Sequence, residues 1–251
     1  MIMSRKPWNI LLDFDGTLHD TETIFSSKLD GLFGLDGKTL YALYLSEIHR
    51  KLVHEHFPER HNDRRFHCEL FCRHLKKPID NELICLLENR FKEAEEIIFS
   101  SPRFFKDARA FLDMAICNGY RLCLSTGGGN SMAKAKTIQK FFGRNYFEDI
   151  IGEETLNHLK DDPLYYEEAL KRLSWESEQV VSIGDSIQTD IYPAKLVGIK
   201  TIWVNRKNGT QTIEMDKAPD YSANDLISTM DYLTLKFPNQ SVIGKNSKII
   251  F

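Results

Sequence analysis

Apolar residues follow two different periods along this chain, and the change of period divides it. Ile10, Leu11 and Leu12 form an unbroken apolar run that stops at Asp13 and Gly16. A short run bounded by a glycine turn reads as a strand buried on both faces, the pattern of a central member of a parallel sheet. From about Thr21 to Ser100 no strand pattern follows. Instead Leu40, Leu43, Tyr44, Ile48, Leu52 and Val53 recur at helical spacing within residues 38–57. A second helix is predicted over 62–77, with Phe66, Leu70, Phe71, His74 and Leu75 on one side and Asn62 as its N-cap. Pro78 then interrupts, and 79–99 makes a third with Leu83, Leu86, Leu87, Phe91, Ala94 and Ile98. The expectation is a small helix bundle inserted directly behind the first strand.

After Pro102 strands and helices alternate. Helices are predicted at 105–118, ended by Gly119, and at 131–142 and 164–173, then one ending at Val197 before Gly198, and a last at 223–235. Strands fall at 120–124, 147–151, 180–183 and 201–204. Residues 239–251 carry no pattern that places them. Such alternation predicts an α/β fold, a Rossmann-like parallel sheet core with an inserted all-α helical-bundle cap. The core is drawn as residues 1–18 and 102–251, the cap as 19–101.

Composition narrows the partners. At 251 residues with net charge −3, nothing points to a nucleic acid polymer or an anionic membrane surface. The apolar runs are too short to span a bilayer, and Asp13 interrupts what would be the apolar segment of a secretory signal. Five cysteines form no regular framework, which predicts reduced thiols and a cytoplasmic setting. Cys68 and Cys72 stand one helical turn apart, but their spacing fits no common zinc pattern, so they read as core packing.

Charge is uneven within the cap. Residues 38–77 hold nine Lys/Arg against five Asp/Glu, and 78–101 hold two against six. A cationic lid over an anionic substrate would produce that asymmetry, and so would ordinary solvated helix faces.

The chemistry collects at predicted strand ends. Asp13 and Asp15 follow the first strand, and this pair reads either as an Asp-Gly turn or as a nucleophile with an acid–base partner whose mutual repulsion a divalent cation relieves. Ser125 and Thr126 end the second strand ahead of three glycines, whose amides can face phosphate oxygens. Lys160 precedes the 164–173 helix, and Asp185 ends the fourth strand with Asp190 five residues on. In a parallel sheet these ends share one edge, where α/β folds bind their ligands.

The order Asp-x-Asp-Gly-Thr, then Ser/Thr, then Lys, then Gly-Asp-Ser-x-x-x-x-Asp resembles the haloacid dehalogenase (HAD) superfamily, and the resemblance runs from about Asn9 to Arg206. The helical insert looks like that family's C1 cap. The resemblance implies a HAD-like core in which Asp13 is the phosphoryl-accepting nucleophile and Asp15 the general acid and base. It implies Mg²⁺ held by Asp13, the Asp15 carbonyl and Asp185, with Asp190 in support and Ser125, Thr126 and Lys160 on the phosphate. The implied activity is a phosphatase hydrolysing a small phosphorylated metabolite of the phosphoglycolate, sugar phosphate or nucleotide class, in a monomer or homodimer. A phosphomutase of the β-phosphoglucomutase kind shares all four motifs, and a non-catalytic ligand-binding protein is a third reading. Asp15 favours phosphate chemistry, because dehalogenases lack an acid there. Two positions depart from the pattern: Thr126 stands where asparagine is usual, and Asp161 replaces the proline after the motif lysine. His19 and Glu22, at the entry to the cap, and Arg64 or Arg65 within it are candidates for substrate contact.

Overall fold

A computed structural model of the chain describes residues 8–207 and 213–238. The predicted tail at 239–251 lies outside the described residues. By packing, the chain falls into two compact units, Met1–His19 with Phe104–Phe251, and Asp20–Arg103.

The first strand, β1 (Asn9–Leu12), is buried along its whole length, with Ile10, Leu11 and Leu12 at 1 % exposure or less. Within the helical unit follow α1 (Thr21–Leu29), α2 (Gly37–Leu43), a π-helical segment Tyr44–His54, α3 (Arg64–His74) and α4 (Asn81–Ser100). The remaining elements are α5 (Ala108–Cys117), β2 (Arg121–Thr126), α6 (Ser131–Phe142), β3 (Asp149–Gly152), α7 (Glu153–Leu156), α8 (Pro163–Leu173), β4 (Val180–Gly184), α9 (Tyr192–Leu196), β5 (Lys200–Val204), β6 (Tyr221–Ala223) and α10 (Leu226–Lys236).

All six strands are parallel, in the order β3-β2-β1-β4-β5-β6. The chain winds outward from β1 in both directions, so the crevice at its carboxyl end is the switch point where doubly wound sheets bind ligands. The α/β fold with a parallel sheet is as the sequence predicts.

Several local expectations are corrected. The helix foreseen over 38–57 is α2 followed by a π segment, in which the buried residues Tyr44, Ile48 and Val53 step by four and then by five, the second step longer than α-helical stacking uses. Asp63, not Asn62, caps α3, accepting from the Phe66 amide at 3.0 Å. The strand foreseen at 120–124 runs on through Ser125 and Thr126. Helix α1, the short α7 and the edge strand β6 were not foreseen.

The charge asymmetry of the helical unit is levelled in space. Arg64 pairs with Glu95 and Arg65 with Glu88, which joins the basic half on α3 to the acidic half on α4. Cys68 and Cys72 are fully buried, and burial pushes the Cys68 thiol up to about 12. No helix among the described residues is long and apolar enough to cross a membrane.

Candidate active site

Three adjacent strand ends build the site in the sheet unit. Asp13 follows β1 and its amide bonds the Ile183 carbonyl of β4 at 3.0 Å, which extends the sheet by one residue and fixes the carboxylate at the edge. Gly16 has φ +78°, and a Cβ there would fall inside the Asp185 carboxylate, so only glycine lets these two turns approach. The turn after β1 is held from outside by Arg206, which donates to the Thr17 carbonyl at 2.7 Å and pairs with Asp107 at 3.0 Å.

Asp13 is 6 % exposed, and Lys160 donates to its Oδ1 at 2.7 Å. The Lys160 ammonium, itself 2 % exposed, also donates to the Ser125 carbonyl at 2.8 Å and forms an ion pair with Asp190. Burial opposes its charge, but Asp13 and Asp190 outweigh that and hold its pKa well above the ordinary range. Asp13 shows the converse: burial, with Asp190 and Asp15 nearby, pushes it up to about 7 against the pull of Lys160.

Asp13 Oδ2 is buried with no hydrogen-bond partner among the described residues. Carboxylate oxygens of Asp13, Asp185 and Asp190 all lie within 4.8 Å of one another. An oxygen-rich cluster that repels itself, leaves Asp13 Oδ2 and Asp190 Oδ1 without a hydrogen bond among the described residues and opens to water through the exposed Asp185 fits a hard divalent cation such as Mg²⁺. The two oxygens of Asp190 are engaged elsewhere, one by Lys160 and one by the Ser186 amide at 2.9 Å, which suits a supporting place.

Two residues that the sequence did not single out complete the arrangement. Lys134, in the first turn of α6 and 5 % exposed, donates to Asp15 Oδ2 at 2.6 Å, to Thr126 Oγ1 at 2.8 Å and to the Gly127 carbonyl at 2.9 Å. Glu153 accepts from the Gly128 amide at 2.8 Å and from the Lys160 amide at 2.9 Å, so one acid braces the glycine run against the motif lysine. The Gly128 amide expected to face phosphate therefore faces a carboxylate.

A haloacid dehalogenase-like hydrolase profile matches residues 10–204. The chain belongs to that family. Among this HAD chain's curated relatives are a phosphoserine phosphatase of Thermus thermophilus, 28 % identical over 140 residues and 55 % of each chain. Another is a glyceraldehyde 3-phosphate phosphatase of Pyrococcus abyssi, 33 % identical over 85 residues, 34 % of this chain and 35 % of that one. The matched part is thus about half or less of these relatives' length. Among solved structures, the putative HAD-hydrolase YfnB of Bacillus subtilis superposes with TM-score 0.65 at 20 % identity, covering 91 % of this chain and 99 % of that one, a likeness of fold.

Of the residues expected from the HAD motifs, Asp13, Asp15, Thr126, Lys160, Asp185 and Asp190 come together through the contacts above. Ser125 joins them by its carbonyl, while its Oγ lies 3.1 Å from the Tyr165 hydroxyl. Burial raises the Tyr165 pKa, so the phenol keeps its proton, and either hydroxyl of the pair can be the donor. His19 is fully buried, stacked on Phe14 and edge-on to Phe104. Glu22 stands in the first turn of α1. Arg64 bonds the Tyr44 hydroxyl and Glu95, and Arg65 bonds Asn81 at 2.8 Å.

Proposed function

We propose that this HAD chain is a Mg²⁺-dependent phosphatase that hydrolyses a small phosphorylated metabolite through an aspartyl phosphate on Asp13. The observation that carries the reading is the Asp13 carboxylate itself, held by a buried ammonium on one oxygen and left without a partner on the other, beside two further carboxylates. Two relatives named as phosphatases of three-carbon phosphate esters support the substrate class. Five free cysteines support a reducing, cytoplasmic setting.

In the first step an Asp13 oxygen attacks phosphorus, the bond from phosphorus to the leaving alcohol oxygen breaks, and Asp15 gives that oxygen a proton. In the second a water loses its proton to Asp15 and attacks phosphorus, the acyl phosphate bond breaks, and Asp13 returns as a carboxylate. Lys160 and the hydroxyls of Ser125 and Thr126 bind phosphate oxygens, and Lys160 also offsets the charge of Asp13 and Asp190. When bound by Asp13, the Asp15 carbonyl and Asp185, Mg²⁺ supplies positive charge to the spreading phosphoryl oxygens. Asp190 holds Lys160 and the Ser186 turn in place.

Recognition of the leaving group is assigned to the helical unit. Arg64 and Arg65 are its candidates within that unit, with Glu22 and His19 at its entry in sequence. Alanine variants of Arg64 and Arg65 are then expected to raise KM.

The test is phosphate release from an aryl phosphate. Release is expected to stop on chelation, to return with Mg²⁺, and to fall by about 1000-fold or more in Asp13→Asn. Undiminished release in Asp13→Asn would overturn the reading, and isomerisation of a sugar phosphate without release would assign the mutase reaction instead.

A further inference from the structure

Six of the eight histidines lie between His49 and His74, and the proposed phosphatase chemistry uses none of them. Three come together. His54 Nε2 and His61 Nδ1 lie 3.0 Å apart, and the rings of His49 and His54 are 4.4 Å apart between centroids, those of His49 and His61 5.4 Å. One ring nitrogen from each of the three falls within 4.8 Å of the other two.

Local structure explains the convergence. His49 and His54 are five residues apart, which in an α-helix would place them about 140° around the axis from each other. They sit instead in the π segment Tyr44–His54, whose wider turn brings residues i and i+5 over one another. The chain then reverses: Phe57 closes onto the Val53 carbonyl at 2.8 Å, the 3₁₀ turn Pro58–Arg60 ends with the His61 amide on the Pro58 carbonyl at 3.2 Å, and His61 returns over His54. Asp63 pins the far side of this loop by capping α3 and pairing with Arg60. A π-helical turn gives up regular α-helical bonding, and such turns recur at functional sites.

We propose that these three histidines form a second metal site, entirely within the helical unit, that takes Zn²⁺ or a cation of the same borderline class. Imidazole nitrogen suits such ions, whereas Mg²⁺ prefers oxygen, so donor chemistry separates this site from the carboxylate cluster of the sheet unit. Ligand nitrogens of a tetrahedral zinc site stand about 3.3 Å apart, given metal–nitrogen bonds of about 2.0–2.1 Å. The His54–His61 separation is already close to that, and a His49 ring nitrogen lies within 4.8 Å of both. A fourth histidine nearby is excluded: His67 has Nδ1 on the Tyr44 hydroxyl at 3.0 Å and Nε2 on the Arg60 carbonyl at 3.1 Å. Three protein ligands leave the fourth position to water, the form of a site that keeps an exchangeable ligand.

The experiment uses the full chain, stripped by chelation and returned to excess Mg²⁺ to occupy the carboxylate cluster. Zn²⁺ is then titrated against a chromophoric chelator, and Co²⁺ is added separately for its visible spectrum. One Zn²⁺ per chain and a four-coordinate Co²⁺ spectrum are expected, both retained in Asp185→Asn. Since outer partners of a ligand alone are worth about 10–100-fold, His54→Gln and His61→Gln are each expected to weaken Zn²⁺ by about 100-fold or more. Variants of the exposed His56 and His74 are expected to bind as the parent does. Should a glutamine variant fail to fold, His61→Cys replaces one ligand by another and is expected to keep the site while adding a thiolate charge-transfer band with Co²⁺. Equal affinity in the parent, His54→Gln and His61→Gln would overturn the proposal, as would loss of the site in Asp185→Asn or a folded His61→Cys without the new band.

Discussion

Lys134 and Asp15 are 119 residues apart in sequence and 2.6 Å apart in space, and this contact separates orientation from chemistry in the proposed mechanism. Asp15 is the proposed proton carrier, and its side chain is 36 % exposed, so water can hydrate it if its partner is removed. The Lys134 side chain is 6 % exposed and is tied at the same time to Thr126 and Gly127, so it sets the carboxylate's direction from a rigid base. Replacement by methionine keeps the packed stem and removes the three donated bonds. Lys134→Met is expected to lower kcat by about 10- to 100-fold, part of what a positioned acid and base contributes, with KM and Mg²⁺ affinity nearly unchanged. Steady-state kinetics with a Mg²⁺ titration checks it, and an unchanged kcat would remove Lys134 from the mechanism. Nothing in the sequence could have singled it out: one lysine in the first turn of an amphipathic helix looks like any solvated one. Asp13, Asp15 and Asp185 could be picked out as candidates because each stands at or near a predicted strand end, and Lys160 because it precedes a predicted helix in the motif order. His19 stands close to the same chemistry in sequence, yet its ring is spent on packing against Phe14 and Phe104.

At the level of elements, the strand-end turns decide how closely the carboxylates approach. Gly16 and Gly128 both have positive φ, +78° and +68°, so alanine at either costs about 1–2 kcal/mol of backbone strain. Only at Gly16 would the new Cβ meet the Asp185 carboxylate; at Gly128 nothing lies within 4 Å. Gly16→Ala is therefore expected to lose at least as much stability in urea as Gly128→Ala, and only Gly16→Ala to weaken Mg²⁺, by about 10-fold or more. Equal Mg²⁺ affinity in the two variants would deny that close approach forms the site. The same scale shows why some elements escaped the sequence. Helix α1 buries Thr21 and Ser26 along with Ile24, Phe25 and Leu29, which blurs the apolar period. Strand β6 is three residues long and buries only Ala223. Helices α1, α2, α3, α4, α8 and α10 are all capped by aspartate, at Asp20, Asp36, Asp63, Asp80, Asp162 and Asp225. Acidic residues that cap and acidic residues that gather at the strand ends look alike until the strands are placed.

Across the whole molecule, the division into a sheet unit and a helical insert was legible because the apolar period changes twice along the chain. The contents of the insert were not, since a π turn and a reversal at Pro58 are set by tertiary packing rather than by pattern. The two units offer cations opposite chemistries, carboxylate oxygen in one and imidazole nitrogen in the other. Ligand linkage turns that difference into a measurable map, because a cation at about 100 times its dissociation constant stabilises the unit that binds it by about 2.7 kcal/mol. Opening of the affected backbone then slows by up to about 100-fold wherever exchange proceeds through states that release the ion. Mg²⁺ is expected to slow amide exchange in β1, β4 and the turns that follow them, and Zn²⁺, added over saturating Mg²⁺, to slow it through residues 44–67. Asp185→Asn is expected to erase the first effect and keep the second, and His54→Gln the reverse. Hydrogen exchange read by mass spectrometry resolves segments of this size. A Zn²⁺ effect confined to the strand ends would show that both ions compete for one carboxylate site, and a Mg²⁺ effect absent from β1 would separate that cation from Asp13.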